Sequence, residues 1–355
     1  MKPLISLLYI TFATFSPLSA QNGIELKKEI EKAMVYDLVI DTAKMTGWVI
    51  GCIDHDSTWV FGYGRTSKLT KTKPDGNTIF EIGGVTKAFT STVAQMMVEQ
   101  KILHLDSAIN LYLKPTQQFP LGNTLTLLQL MTHTSGLPKL PEAFGMDEKD
   151  KNQPYASYTE GMLFDYLKSV DTADLKIGKY NYSHINHAII EKILANKGGE
   201  NSLNNIEKRF DDTSSIFIQG YNPAQLPVAN WRFNETFKYS VGIKATMNEL
   251  LDFMKLQLGI KDTFLFKILR GTQEPLFKTD IDKNTSVGKS WHILKYKKKI
   301  MICLQSGSTN GQSTFIAFIP ETKTGVVVMA NTRLVQAPLG MLVLKILNYN
   351  WRRDE

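Results

Sequence analysis

Short apolar strand patterns stand at both ends of this chain, and helical periodicity fills the region between them. Residues 45–53 and 59–64 read as a strand pair joined through the polar turn Asp54-His55-Asp56-Ser57. After residue 287 the chain returns to strands at 291–296, 300–304, 313–319 and 325–330, the lysine triplet 297–299 joining the first two. One sheet assembled from both termini, with a helical insertion, satisfies that order. The fold class expected is α/β (α+β): an antiparallel sheet with flanking helices and an all-helical lobe, with a cleft where the lobes meet.

Helix signals support the middle. Val85, Phe89, Val93 and Met96 with Met97 recur at helical spacing, as do Ile185, Ile189 and Ile193 before Gly198-Gly199. Thr126 with Gln129 and Thr246 with Glu249 are capping-box pairs. Helices are also expected over about 24–34 and 339–349. The sheet lobe should comprise about 21–80 and 285–355, and the helical lobe about 85–280.

Residues 1–20 read as a cleaved secretory signal: Lys2, an apolar stretch at 4–15, Pro17, then Leu18-Ser19-Ala20 before Gln21. No Cys follows the apolar stretch, which excludes a lipoprotein anchor, and no other run approaches transmembrane length. The remaining 21–355 should form one domain in a periplasm or outside the cell. Its two cysteines, Cys52 and Cys303, fall inside strands and are read as buried thiols rather than a disulfide. Basic residues outnumber acidic ones by 7, but the charge is dispersed, which argues against nucleic acid as a partner. No cofactor motif and no metal-ligand spacing is found.

The chemistry is expected where Phe80-Glu81-Ile82-Gly83-Gly84-Val85-Thr86-Lys87 opens a helix. This segment resembles the serine β-lactamase and penicillin-binding protein family, in its class C β-lactamase, DD-peptidase and esterase branch. The branch has Ser at the position of Gly84, giving Ser-x-x-Lys, with both side chains on one helix face. Further matches are Lys101-Ile102-Leu103-His104-Leu105-Asp106, Leu130-Met131-Thr132-His133-Thr134-Ser135-Gly136-Leu137-Pro138, Thr309-Asn310-Gly311 and Gly325-Val326-Val327-Val328. Tyr182-Ser183-His184 stands at the Tyr-x-Asn motif, with His184 replacing Asn. Gln305-Ser306-Gly307 stands at the Lys-Thr-Gly or His-x-Gly motif. The likeness covers most of residues 45–335 and is weakest at about 200–230.

The resemblance implies a β-lactamase/transpeptidase-like fold and a cleft for peptide-like or acyl molecules, including cell-wall stem peptides. Gly84 cannot form an acyl-enzyme. Lys87 and Tyr182 remain as catalytic-position residues, and His184, Gln305, Ser306, Gly307 and Ser308 as ligand-binding ones. The resemblance also implies two oxyanion donors, the N–H groups of Gly84 and Ser308, with extra room where the side chain is missing. A degenerate site that binds without hydrolysis is the first reading. A working hydrolase with a relocated nucleophile (Ser306 and Ser308 being the candidates) and a partner-binding protein stay open. His184 and His187, three apart on a helix, are read as a polar filler and a packed residue rather than a metal pair.

Overall fold

The computed structural model describes residues 23–37, 46–142, 144–146, 153–173, 175–199, 216–261, 263–296, 300–332 and 336–348. The signal reading at 1–20, Met45, the lysine triplet and Tyr349 lie outside them.

The first helix, α1, spans Gly23–Tyr36, and the hairpin β1 (Gly47–Asp54) and β2 (Ser57–Gly64) follows. A short strand β3 (Ile79–Glu81) leads through a single 3-10 turn, Gly83–Val85, into α2 (Thr86–Glu99). The helical lobe continues with α3 (Leu127–Met131), α4 (Glu160–Ser169) and α5 (His184–Asn196). Next come the two-residue strands β4 (Gly220–Tyr221) and β5 (Pro227–Val228), a helical turn α6 (Lys238–Val241) and β6 (Lys244–Thr246). Two helices, α7 (Met247–Gln257) and α8 (Thr263–Arg270), close the lobe. The remaining strands are β7 (Phe277–Lys278), β8 (Thr285–Val287), β9 (His292–Tyr296), β10 (Ile300–Ser308), β11 (Ser313–Ile319) and β12 (Thr324–Ala330), before α9 (Gln336–Leu347).

The main sheet has the order β2-β1-β12-β11-β10-β9-β8-β7, with every adjacent pair antiparallel. N- and C-terminal strands meet at β1 and β12, where Ile50 opposes Val328 and Cys52 opposes Val326. All seven residues of β11 and of β12 are buried, because the sheet is covered on both faces. Trp48, Ile50, Phe315, Ala317, Val326 and Val328 pack with Leu26, Ile30, Leu339 and Val343 of α1 and α9. Val49, Ile53, Ile316, Phe318, Val327 and Met329, the alternate positions, pack with the helical lobe. Gly51 permits a close contact there: Met247 and Leu251 of α7 occupy the space a side chain would need.

Both capping boxes form, at Thr126 with Gln129 and at Thr246 with Glu249. The differences from the sequence reading have local causes. β7 joins the sheet at Phe277, ahead of the expected boundary, and β3 pairs with β6 in a separate small sheet. Strands of two or three residues are too short to show alternation. β10 runs on to Ser308 although Gln305-Ser306-Gly307-Ser308 carries no apolar signal, since β11 supplies its hydrogen-bonding neighbour throughout. β9 begins at His292, opposite Leu304, so the stretch from Gln305 to Ser308 has no strand partner on that edge.

Cys52 and Cys303 are both free and buried, and burial pushes both thiols far above their ordinary range. Neither should react with an aromatic disulfide reagent in the native protein, and both should react in denaturant. A native thiol titrating at once would contradict their placement in closed sheet layers.

Candidate functional site

The site forms where the 3-10 turn, α2, the Tyr182–His184 segment and the unpaired edge of β10 converge. Gly83 adopts φ +53°, which turns the chain from β3 into α2. Val85 N–H donates to Ile82 O at 3.2 Å, fixing Gly84 inside the turn. Three residues on, Lys87 projects into the protein and is 0% exposed. Its Nζ donates to Ser240 O at 2.9 Å and lies 3.2 Å from His184 Nδ1 and 5.2 Å from the Tyr182 ring centre.

Ser183 caps α5. Its hydroxyl accepts from Asn186 N–H at 3.3 Å and donates to Pro138 O at 2.7 Å. Ser183 N–H donates to His133 Nδ1 at 3.1 Å, so that nitrogen is unprotonated and the imidazole proton sits on Nε2. His133 lies 4.7 Å from Tyr182 and 5.1 Å from His187, centre to centre. His187 Nε2 pairs with Ser91 Oγ at 3.1 Å. A buried cluster of Lys87, His133, His184 and His187 thus lies behind Tyr182. Burial pushes all four below their ordinary pKa ranges, and the further charges they feel belong to lysines and histidines. Among the described residues, no group of three or more His, Cys, Asp or Glu is arranged to hold a metal ion.

The opposite wall is β10. A Cβ built on Gly84 would lie 2.7 Å from Ser306 O and 2.9 Å from the Tyr182 hydroxyl. One on Gly83 would lie 2.6 Å from Ser308 N, and one on Gly307 would lie 2.6 Å from Gly84 N. Three glycines therefore let the turn close onto the strand edge. The extra room expected beside Gly84 does not exist: the strand and Tyr182 fill it. Both expected oxyanion donors, Gly84 N and Ser308 N, lie at this contact.

Gln305 turns inward. Its Nε2 donates to Ser290 O at 2.9 Å, its Oε1 accepts from Ser306 N–H at 3.2 Å, and it also bonds His292. Tyr180 pairs with His292 Nε2 at 2.7 Å, and burial lowers the His292 pKa to about 4. Gln305 thus ties β10 to the segment before β9 rather than presenting its amide to the cleft. Ser306 and Ser308 present exposed residues at the rim, while Gly307 is buried. The Thr86 hydroxyl, two residues from Gly84, accepts from Ile243 N–H at 3.2 Å and is fully buried.

The structure brings Gly84, Lys87, Tyr182, His184, Gln305, Ser306, Gly307 and Ser308 into one region. Sequence reasoning overlooked Ser240, Ser290 and Tyr180, and took His292, as a single histidine, to be uninformative. Ser240 contributes a backbone carbonyl, to which no side-chain motif points. The Tyr180–His292 pair joins positions 112 apart, a separation invisible to local spacing.

The chain belongs to the β-lactamase family, whose model matches residues 32–339. The β-lactamase of Psychrobacter immobilis is 22% identical over 380 residues, covering 93% of this chain and 90% of that protein. Among solved structures, a class C β-lactamase superposes with a TM-score of 0.78 at 20% identity, covering 94% of this chain and 98% of the other. A β-lactamase/D-alanine carboxypeptidase from Pseudomonas syringae gives 0.73 at 21% identity, covering 91% and 97%.

Proposed function

We propose that this protein is an exported, non-acylating member of the family, binding a peptide-like or acyl ligand with little or no hydrolysis. One observation carries the reading: position 84 offers no nucleophilic side chain, and the space for one is taken by Ser306 O and the Tyr182 hydroxyl. With glycine at position 84, Lys87 has no hydroxyl to deprotonate, so the first covalent step of a serine hydrolase has no starting atom. Ligand contacts fall to the rim, where Ser306, Ser308 and Tyr182 offer polar groups. The ligand class follows from the relatives, one of which is named a D-alanine carboxypeptidase from Burkholderia cenocepacia. Export rests on the composition of residues 1–20.

Intact mass after exposure to a penicillin and to a fluorophosphonate should show no adduct. Calorimetry with an N-acyl-D-alanyl-D-alanine peptide should show saturable binding, with the peptide recovered uncut. An adduct or measurable turnover would overturn the non-acylating reading, and mapping the adduct would identify the replacement nucleophile. Absence of binding would remove the ligand assignment.

A further inference from the structure

Beside the site, two loops carry a surface that the cleft does not use. The loop after β2, residues 65–74, holds Arg65, Lys68, Lys71 and Lys73, all exposed. At its tip, Leu69 is 96% exposed. That exposure is not loose chain: Thr66 N–H donates to Thr72 O at 2.8 Å, and Thr70 N–H donates to Ser67 O at 3.1 Å. The β4–β5 hairpin abuts it. Lys68 N–H donates to the Tyr221 hydroxyl at 2.7 Å, and Lys68 Nζ donates to Gln225 O at 2.6 Å. Next to Gln225 stands Leu226, 60% exposed. Two exposed leucines thus flank a bonded lysine, with further cations around them.

Acidic residues are missing from both segments. About one residue in ten of the chain is Asp or Glu, yet residues 57–74 and 216–234 contain none. Fixed apolar tips set among cations, with no acid in either loop, suit a surface that is anionic outside and apolar beneath. A soluble polyanion would be met by the cations but would gain nothing from the leucines.

We propose that these two loops dock the protein on an anionic phospholipid bilayer, with Leu69 and Leu226 entering the interface and Arg65, Lys68, Lys71 and Lys73 facing the headgroups. The hairpin is also fixed to the turn after β10: Tyr221 N–H donates to Gly311 O at 3.2 Å, and Asn310 Nδ2 donates to Ala229 O at 3.3 Å. Docking would therefore hold the Ser306–Ser308 rim close to the lipid surface.

Vesicle co-sedimentation tests this with phosphatidylcholine alone and with about one-third phosphatidylglycerol added, and heparin affinity serves as the soluble-polyanion control. Binding should require phosphatidylglycerol and disappear at high salt. Lys71→Glu with Lys73→Glu should weaken partitioning by about tenfold or more. Leu69→Ser should weaken it by about fivefold while leaving heparin retention unchanged. Because these side chains are exposed, the variants should melt with the parent protein. Equal binding to both vesicle types would overturn the proposal. So would an unaltered Leu69→Ser variant, which would assign the surface to soluble polyanions instead.

Discussion

Gly84→Ser is expected to destabilise the protein without restoring acylation. The substitution places a Cβ 2.7 Å from Ser306 O and 2.9 Å from the Tyr182 hydroxyl, and the first of these is backbone that cannot rotate aside. Relief requires the β10 edge to retreat. That edge is held by pairing to β11 and by Gln305, whose side chain bonds Ser290 O, Ser306 N–H and His292. Overpacking of this kind costs about 1–3 kcal/mol. Gly84→Ala should lose a similar amount, since the Cβ and not the hydroxyl makes the contact. Urea midpoints for both variants, with intact mass after penicillin treatment of the serine variant, check the result. A serine variant as stable as the parent would show that the turn and strand are not in contact as described. One that is acylated at residue 84 would show that glycine alone silences the site.

Stability should also fall steeply on acidification. His133, His184 and His187 have folded pKa values held below the ordinary histidine value of 6.5, and His292 sits at about 4. In the unfolded chain these groups take up protons as pH drops through about 6.5, while the folded protein resists. Their contribution is complete above that value and is lost as pH falls through the folded pKa values. Lys87, also lowered by burial, acts in the same direction between its folded and unfolded pKa values. Glu191, on α5 and bonded to Tyr239 N–H, opposes them: burial raises it to about 8, so its contribution diminishes as pH rises from its unfolded value. Tyr182 and Tyr180, both raised by burial, stay neutral throughout, and Lys139 adds positive charge near Lys87 and His184.

Near pH 5.5 the basic groups outnumber Glu191. The unfolded chain therefore binds more protons there, and stability falls as pH drops through this range. Urea denaturation between pH 7.5 and 5 measures it. His133→Asn keeps an acceptor for Ser183 N–H and removes one titrating group, so it should flatten the slope. A stability profile level over this range would mean that the imidazoles are not buried neutral.

The fold was legible because its signals are local. The strand runs at both ends, the Thr126 and Thr246 caps and the stripe along α5 are all readable within a few residues. The family motifs likewise placed Gly84, Lys87, Tyr182 and the β10 segment in one region, since each is a short run with its own chemistry. β3 and β7 escaped notice because strands of two or three residues acquire their identity from neighbours rather than from their own pattern.

Sequence alone determined that residue 84 has no side chain and therefore no nucleophile. It could not determine what happens to the space left behind. The missing side chain suggested an open pocket, whereas tertiary packing closes the turn onto Ser306 and Gly307, more than two hundred residues away in the chain. The same is true of Gln305, whose amide looked available to a ligand and is instead bonded to Ser290 and Ser306. A side chain's identity is written locally; whether its polar atoms face a ligand or another part of the protein depends on which distant backbone arrives beside it.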